Sequence, residues 1–148
     1  MRRFVLIIPV LFVLVVSGPH ALAHASKTHV SFTETTVSVT PPQREWIGGG
    51  VDHFRGLVEV TAITGDLDGT ITAVINGNVN LNTNTGAVFG KFTFVTSTVT
   101  WSGSFRGDAS GAGTFIGQGG DGSKIHGSFV PTGPDTLEDE AVILSPRG

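Results

Sequence analysis

The stretch HFRGLVEV, His53 to Val60, holds three side chains of types that do chemistry: His53, Arg55 and Glu59. Alternate residues of an extended strand share a face. His53, Arg55, Leu57 and Glu59 are therefore expected on one side, with Phe54, Val58 and Val60 on the other. Turned into a closed apolar interior, Arg55 and Glu59 would make a polar spot there, and loss of water would raise the Glu59 carboxyl pKa toward the range of a general acid. Turned outward, they would make a solvated cross-strand charge pair. The second orientation is favoured if the interior is that of an eight-stranded barrel, which side chains alone can fill. Glu59 and Arg55 are the candidate catalytic residues. Candidate ligand contacts are His53, Trp46 and Trp101. Trp46 lies in the glycine-flanked loop QREWIGGG, where it either closes over a barrel mouth or anchors the loop. Trp101 is in line with Val99 and Phe105 and reads as a core ring.

Other motifs fail on spacing. The glycines of GQGGDGSKIHGSF, Gly117 to Phe129, resemble a phosphate cradle, but Ser123 precedes Lys124 and a strand follows, whereas a P-loop has Gly-Lys-Ser/Thr opening a helix. GAGTFIG has three residues between its last two glycines, where a dinucleotide fingerprint has two. In GDLDGT, Asp66 and Asp68 lack the bidentate acid at the twelfth position of an EF-hand, which here is Gly77, so the motif reads as a turn whose Asp side chains bond nearby backbone N–H groups. His24 and His29 lie near a terminus, and His53 and His126 stand alone on strands, so no metal site is expected. G-x-S-x-G, H-E-x-x-H and cysteine are all missing. No cofactor is implied. The run Glu138-Asp139-Glu140 reads as a solvated strand edge or tail.

Arg2 and Arg3 precede an apolar run from Phe4 to Val16, followed by Ala21-Leu22-Ala23, which is the pattern of a cleaved signal peptide over residues 1–23. That run is too short for a membrane helix of about 20 residues, so no integral membrane segment is expected after cleavage. The product would be secreted or periplasmic. Cleavage leaves 125 residues, His24 to Gly148, enough for one domain. The nine Lys and Arg then become seven, against twelve Asp and Glu. That balance argues against nucleic acid and anionic membranes as partners. Oligomeric state is left open.

The mature chain is rich in Gly, Thr, Val, Phe and Asn and has no sustained helical period. Eight strands are expected: THVSFTETTVSV with a bulge near Glu34 to Thr36, HFRGLVEVTAI, a long strand from Ile71 to Leu81, AVFGKFTFV, VTWSGSFRG, AGTFIG, SKIHGSFV and LEDEAVIL. Asn76-Gly77 is by itself a hairpin signal, but one parity stays apolar or Gly through it. The expected fold is all-β: a single antiparallel, roughly eight-stranded up-and-down β-barrel over residues 24–148. Glycines within strands, such as Gly90, Gly103 and Gly127, relieve crowding beside large aromatics in such a barrel.

With its signal peptide, its glycine-rich strands, GDLDGT after the second strand, and the paired TGAVFGKFTF and GSFRGDASGAGTFIGQGG, the chain resembles the barrel shared by allene oxide cyclases and dirigent proteins, within the calycin-like barrels. The resemblance spans about Thr28 to Val130. It implies an apolar cavity for a lipid-like or phenolic substrate and cofactor-free cyclisation or coupling. It carries no site residue onto this chain. Two functions are therefore expected to compete: a barrel binding a small apolar ligand, with cyclase or isomerase-like activity, and a non-catalytic exported structural or adhesion module.

Overall fold

Alternating apolar and polar residues, punctuated by glycine and Asp turns, make the described residues almost entirely strand. A computed structural model describes residues 25–146, and the expected signal peptide, residues 1–23, lies outside them. The strands are β1 (Ser26–Thr40), β2 (Arg44–Gly48), β3 (Val51–Gly65), β4 (Gly69–Asn80), β5 (Thr85–Thr96), β6 (Thr100–Asp108), β7 (Gly113–Gly119), β8 (Lys124–Gly133) and β9 (Thr136–Ser145). From β3 to β9 each strand pairs antiparallel with the next. β1 pairs with β9 on one side and β3 on the other, which closes β1 and β3 to β9 into an eight-stranded barrel.

The strand β2 falls where a loop was expected. It runs along the same edge of β3 that β1 has just left, Thr40 facing Val58 and Arg44 facing Arg55. Pro41 and Pro42 separate the two because neither has an N–H to continue the ladder. The far edge of β2 is unpaired among the described residues. Closure therefore protects the barrel but leaves this one short edge open. Asn76-Gly77 does not turn, and β4 runs straight through it.

Two bulges set which residues point inward. In β1 the register shifts between Thr36 and Ser38, at Val37, one residue beyond the expected interval. In β3, Arg55 and Gly56 together oppose Asn76. Gly56 has φ +73°, in the left-handed region that glycine adopts without a Cβ clash, and Asn76 Oδ1 accepts its N–H at 3.1 Å.

The interior is built from Phe32, Ile63, Ile71, Phe92, Phe94, Trp101, Ile125 and Ala141. Inward glycines face aromatics across the ladders: Gly90 opposite Phe105, Gly103 opposite Phe92, Gly127 opposite Phe115. A Cβ on Gly90 would stand 2.8 Å from the Phe105 ring, so the ring occupies the space that the missing side chain leaves. One end of the barrel is sealed by Trp101, whose Nε1 donates to the buried Ser123 Oγ at 2.9 Å. Ser123 in turn donates to Asp121 Oδ1 at 2.5 Å. Of the glycines of GQGGDGS, Gly117 and Gly119 close β7, and Gly120 and Gly122 form the turn to β8 that presents this serine. Asp66 acts differently from the expected local turn. Its Oδ2 accepts from the Ser31 N–H at 2.9 Å and so ties the end of β3 to β1 at the barrel seam.

Candidate ligand-binding cavity

The barrel interior is not filled. A cavity of about 430 Å³ lies toward the end bounded by the β6–β7 and β8–β9 turns, with Ser110, Gly111, Pro134 and Asp135 at its rim. The inward glycines of β6 and β7 are covered by rings, Phe129 standing 2.5 Å from where a Cβ on Gly113 would be and Phe92 3.0 Å from one on Gly117, and the cavity lies between these rings and the shorter side chains of Thr36, Thr61 and Ala73.

Most of the wall is apolar. Phe92, Phe94, Phe105, Phe115 and Phe129 supply aromatic surface, while Ile71, Ala73, Ile75 and Val88 line the β4–β5 side. The rings support one another: Phe92 and Phe115 meet edge to face with centroids 5.8 Å apart, and Phe105 and Phe129 do the same at 6.2 Å.

One sector is polar. Glu34 and Thr36 from β1 and Glu59 and Thr61 from β3 line the cavity together. Thr36 Oγ1 donates to Glu59 Oε1 at 2.7 Å, and Thr61 Oγ1 donates to Glu34 Oε2 at 2.8 Å. Each threonine therefore steadies a carboxyl that comes from the neighbouring strand. Behind them, Asp139 is only 1% exposed on the inward face of β9. Neither of its oxygens makes a hydrogen bond of ordinary geometry among the described residues. Burial, then the charge and shared proton of Glu34, and then Glu138 push the Asp139 carboxyl up to about 8. Burial also raises Glu34, opposed by the Thr61 hydrogen bond and reinforced by the charge of Glu59. Glu34 and Asp139 titrate as a pair, both pushed upward by burial.

The expected common face of His53, Arg55 and Glu59 does not form. The bulge at Arg55-Gly56 reverses the parity of β3, so Glu59 points into the cavity while His53 and Arg55 lie on the outer surface. There Arg55 donates to the carbonyls of Phe54 and Gly77, both at 2.7 Å, and to Asn78 Oδ1 at 2.8 Å. His53 Nδ1 lies 2.8 Å from the same Asn78 oxygen. Trp46 stacks on His53 with centroids 4.9 Å apart, and the guanidinium of Arg44 lies 4.8 Å above its indole. Trp46 is thus part of an outer cluster and does not cover the mouth. Trp101 belongs to the sealed end, touching the cavity wall through Phe94 at a centroid distance of 5.4 Å.

Glu34, Thr36, Thr61 and Asp139 were not singled out from sequence, yet a signal was there. Glu34 continues the inward parity of Val30 and Phe32, and Asp139 that of Leu137, Ala141 and Ile143. An acid on an otherwise apolar parity marks a carboxyl aimed inward. The run Glu138-Asp139-Glu140 is accordingly split, with Asp139 inside and its two neighbours outside.

Comparison of the chain with protein-family models, with curated proteins and with solved structures finds no match. The fold, an antiparallel barrel closed by eight strands, is consistent with the calycin-like class.

Proposed function

We propose that this chain is an exported β-barrel that holds a small, predominantly apolar ligand in its interior. The observation that carries the reading is the cavity of about 430 Å³ walled by five phenylalanines and a single polar sector. That volume lies within the range of roughly 300–1,000 Å³ common to small-molecule sites, and so does the pattern of a mostly apolar wall with a few convergent polar groups. Export rests on the signal-peptide pattern of residues 1–23. The resemblance to allene oxide cyclases and dirigent proteins favours cofactor-free cyclase or isomerase-like chemistry over simple carriage. In that chemistry Glu59, bonded to Thr36, is the proton-transfer group.

The test uses pyrene, an uncharged apolar fluorophore whose vibronic band ratio reports the polarity around it. Saturable transfer of pyrene to an apolar environment is expected with the native protein. It should be lost in Ala73→Phe, which places a ring in the cavity. Non-saturable partitioning, or equal binding by the filled variant, would refute the reading. A non-catalytic interaction module is the second reading, favoured by the open edge of β2 and by Ile47 and Trp46, 67% and 39% exposed, beside it.

A further inference from the structure

Every polar side chain that lines the deep part of the cavity either is an acid or has its proton committed to one. The Thr36 and Thr61 hydroxyls both point at carboxyls, Glu59 Oε2 has no donor among the described residues, and beyond Thr61 Glu34 shares only the proton of Asp139. Among the described residues no Lys, Arg or His lines the cavity. The charged groups that face this sector are Glu34 from β1, Glu59 from β3, Asp139 from β9 and, at the rim, Asp135 between β8 and β9. All are acids. Asp139, buried behind Glu34 and sharing a proton with it, adds a further acid to this sector and no positive charge.

A ligand hydroxyl could donate one hydrogen bond here, but it would leave the charge of two neighbouring carboxyls uncompensated. A ligand carboxylate would add to the repulsion. A bare metal ion is disfavoured by spacing, because among the described residues no three His, Cys, Asp or Glu side chains converge closely enough to hold one. An ammonium group supplies several donors and a positive charge together. The rest of the wall suits the same occupant, since the faces of aromatic rings attract cations.

We propose that the cavity selects an organic cation, an amine with a compact apolar body, whose ammonium is seated against Glu34 and Glu59 and whose body rests among the phenylalanines. This rests on the apolar-cavity reading above and names the class of ligand that cavity takes. Tyrosine-free and cysteine-free walls leave the two glutamates as the recognition element for the head group.

The test is isothermal titration calorimetry near neutral pH with three probes that share one indole and one ethylene chain: tryptamine, tryptophol and indolepropionate. Tryptamine is expected to bind roughly ten- to a hundredfold more tightly than tryptophol, the discrimination expected of a hydrogen bond to a charged group. Indolepropionate should not bind measurably. Glu34→Gln and Glu59→Gln should each narrow the gap between amine and alcohol, mainly by weakening the amine. The three-probe comparison on the native protein stands whether or not those variants fold.

Equal affinity for tryptamine and tryptophol would overturn the cation inference while leaving the apolar cavity in place. Failure of all three probes with pyrene still bound would do the same. If pyrene also fails to bind, the cavity reading falls and takes this inference with it.

Discussion

Replacing Asp139 with Asn changes one atom and removes one titration. In the fold this carboxyl keeps its proton up to about 8, whereas in the unfolded chain it loses it near 3.8. Between those values the folded protein binds more protons than the unfolded one, so stability falls as pH rises. The contribution is complete below about pH 4, is lost progressively up to about pH 8, and does not change further above that. Each pH unit over which one extra proton is retained is worth about 1.4 kcal/mol, giving a ceiling of roughly 4 kcal/mol between about pH 5 and about pH 8. Water entering from the cavity side and relaxation around the new charge reduce this, so a fall on the order of 2 kcal/mol is expected.

Urea unfolding followed by near-ultraviolet circular dichroism, at several pH values across that window, measures it directly. The native protein should lose stability toward alkaline pH. Asp139→Asn should flatten the profile and be the more stable form at about pH 9, because its amide donates to Glu34 without ever carrying charge. A flat native profile, or an Asn variant with an unchanged slope, would refute the account of Asp139 as a buried proton carrier.

Gly56→Ala should destabilise the barrel by about 1–2 kcal/mol, the penalty for a Cβ in left-handed backbone, as read from thermal or urea unfolding. Gly77→Ala places a Cβ 2.2 Å from the Phe54 ring and is expected to cost about 1–3 kcal/mol through overpacking. Trp101→Phe removes the donor to the buried Ser123 Oγ and should cost about 1–3 kcal/mol, with Ser123→Ala in the same background recovering part of the loss in a double-mutant cycle.

Strand order and barrel closure were legible because turn residues punctuate the chain at even intervals and one parity of each strand is apolar. What the chain does between Pro41 and Gly50 was not. Three glycines, two prolines and a charged pair describe a loop by composition, yet Arg44 to Gly48 are held as a strand by the exposed edge of β3. That edge exists only because β1 stops short of the end of β3. This is a tertiary fact, invisible to a local pattern. The empty interior has a similar origin: Gly90, Gly103 and Gly127 read as relief for neighbouring rings, but how far those rings reach across the barrel depends on which strands stand opposite one another.

The site turned on one residue. Counting by twos from His53 puts Arg55 and Glu59 together, and with them an ion pair either buried or solvated. Gly56 breaks the count. It lets the chain spend two residues opposite Asn76, after which every side chain from Leu57 onward has exchanged faces relative to the simple alternation. The cation is left outside against Trp46 and Phe89, and the anion is carried inside to meet Glu34 and Asp139. Gln43 packs beneath Gly56 at the gap that Pro41 and Pro42 open between β1 and β2, so the bulge and the strand break meet at one place. That no cation stands beside these acids among the described residues is thus a product of that bulge: without it, Arg55 would share the inward face with Glu59 and bring a positive charge to it.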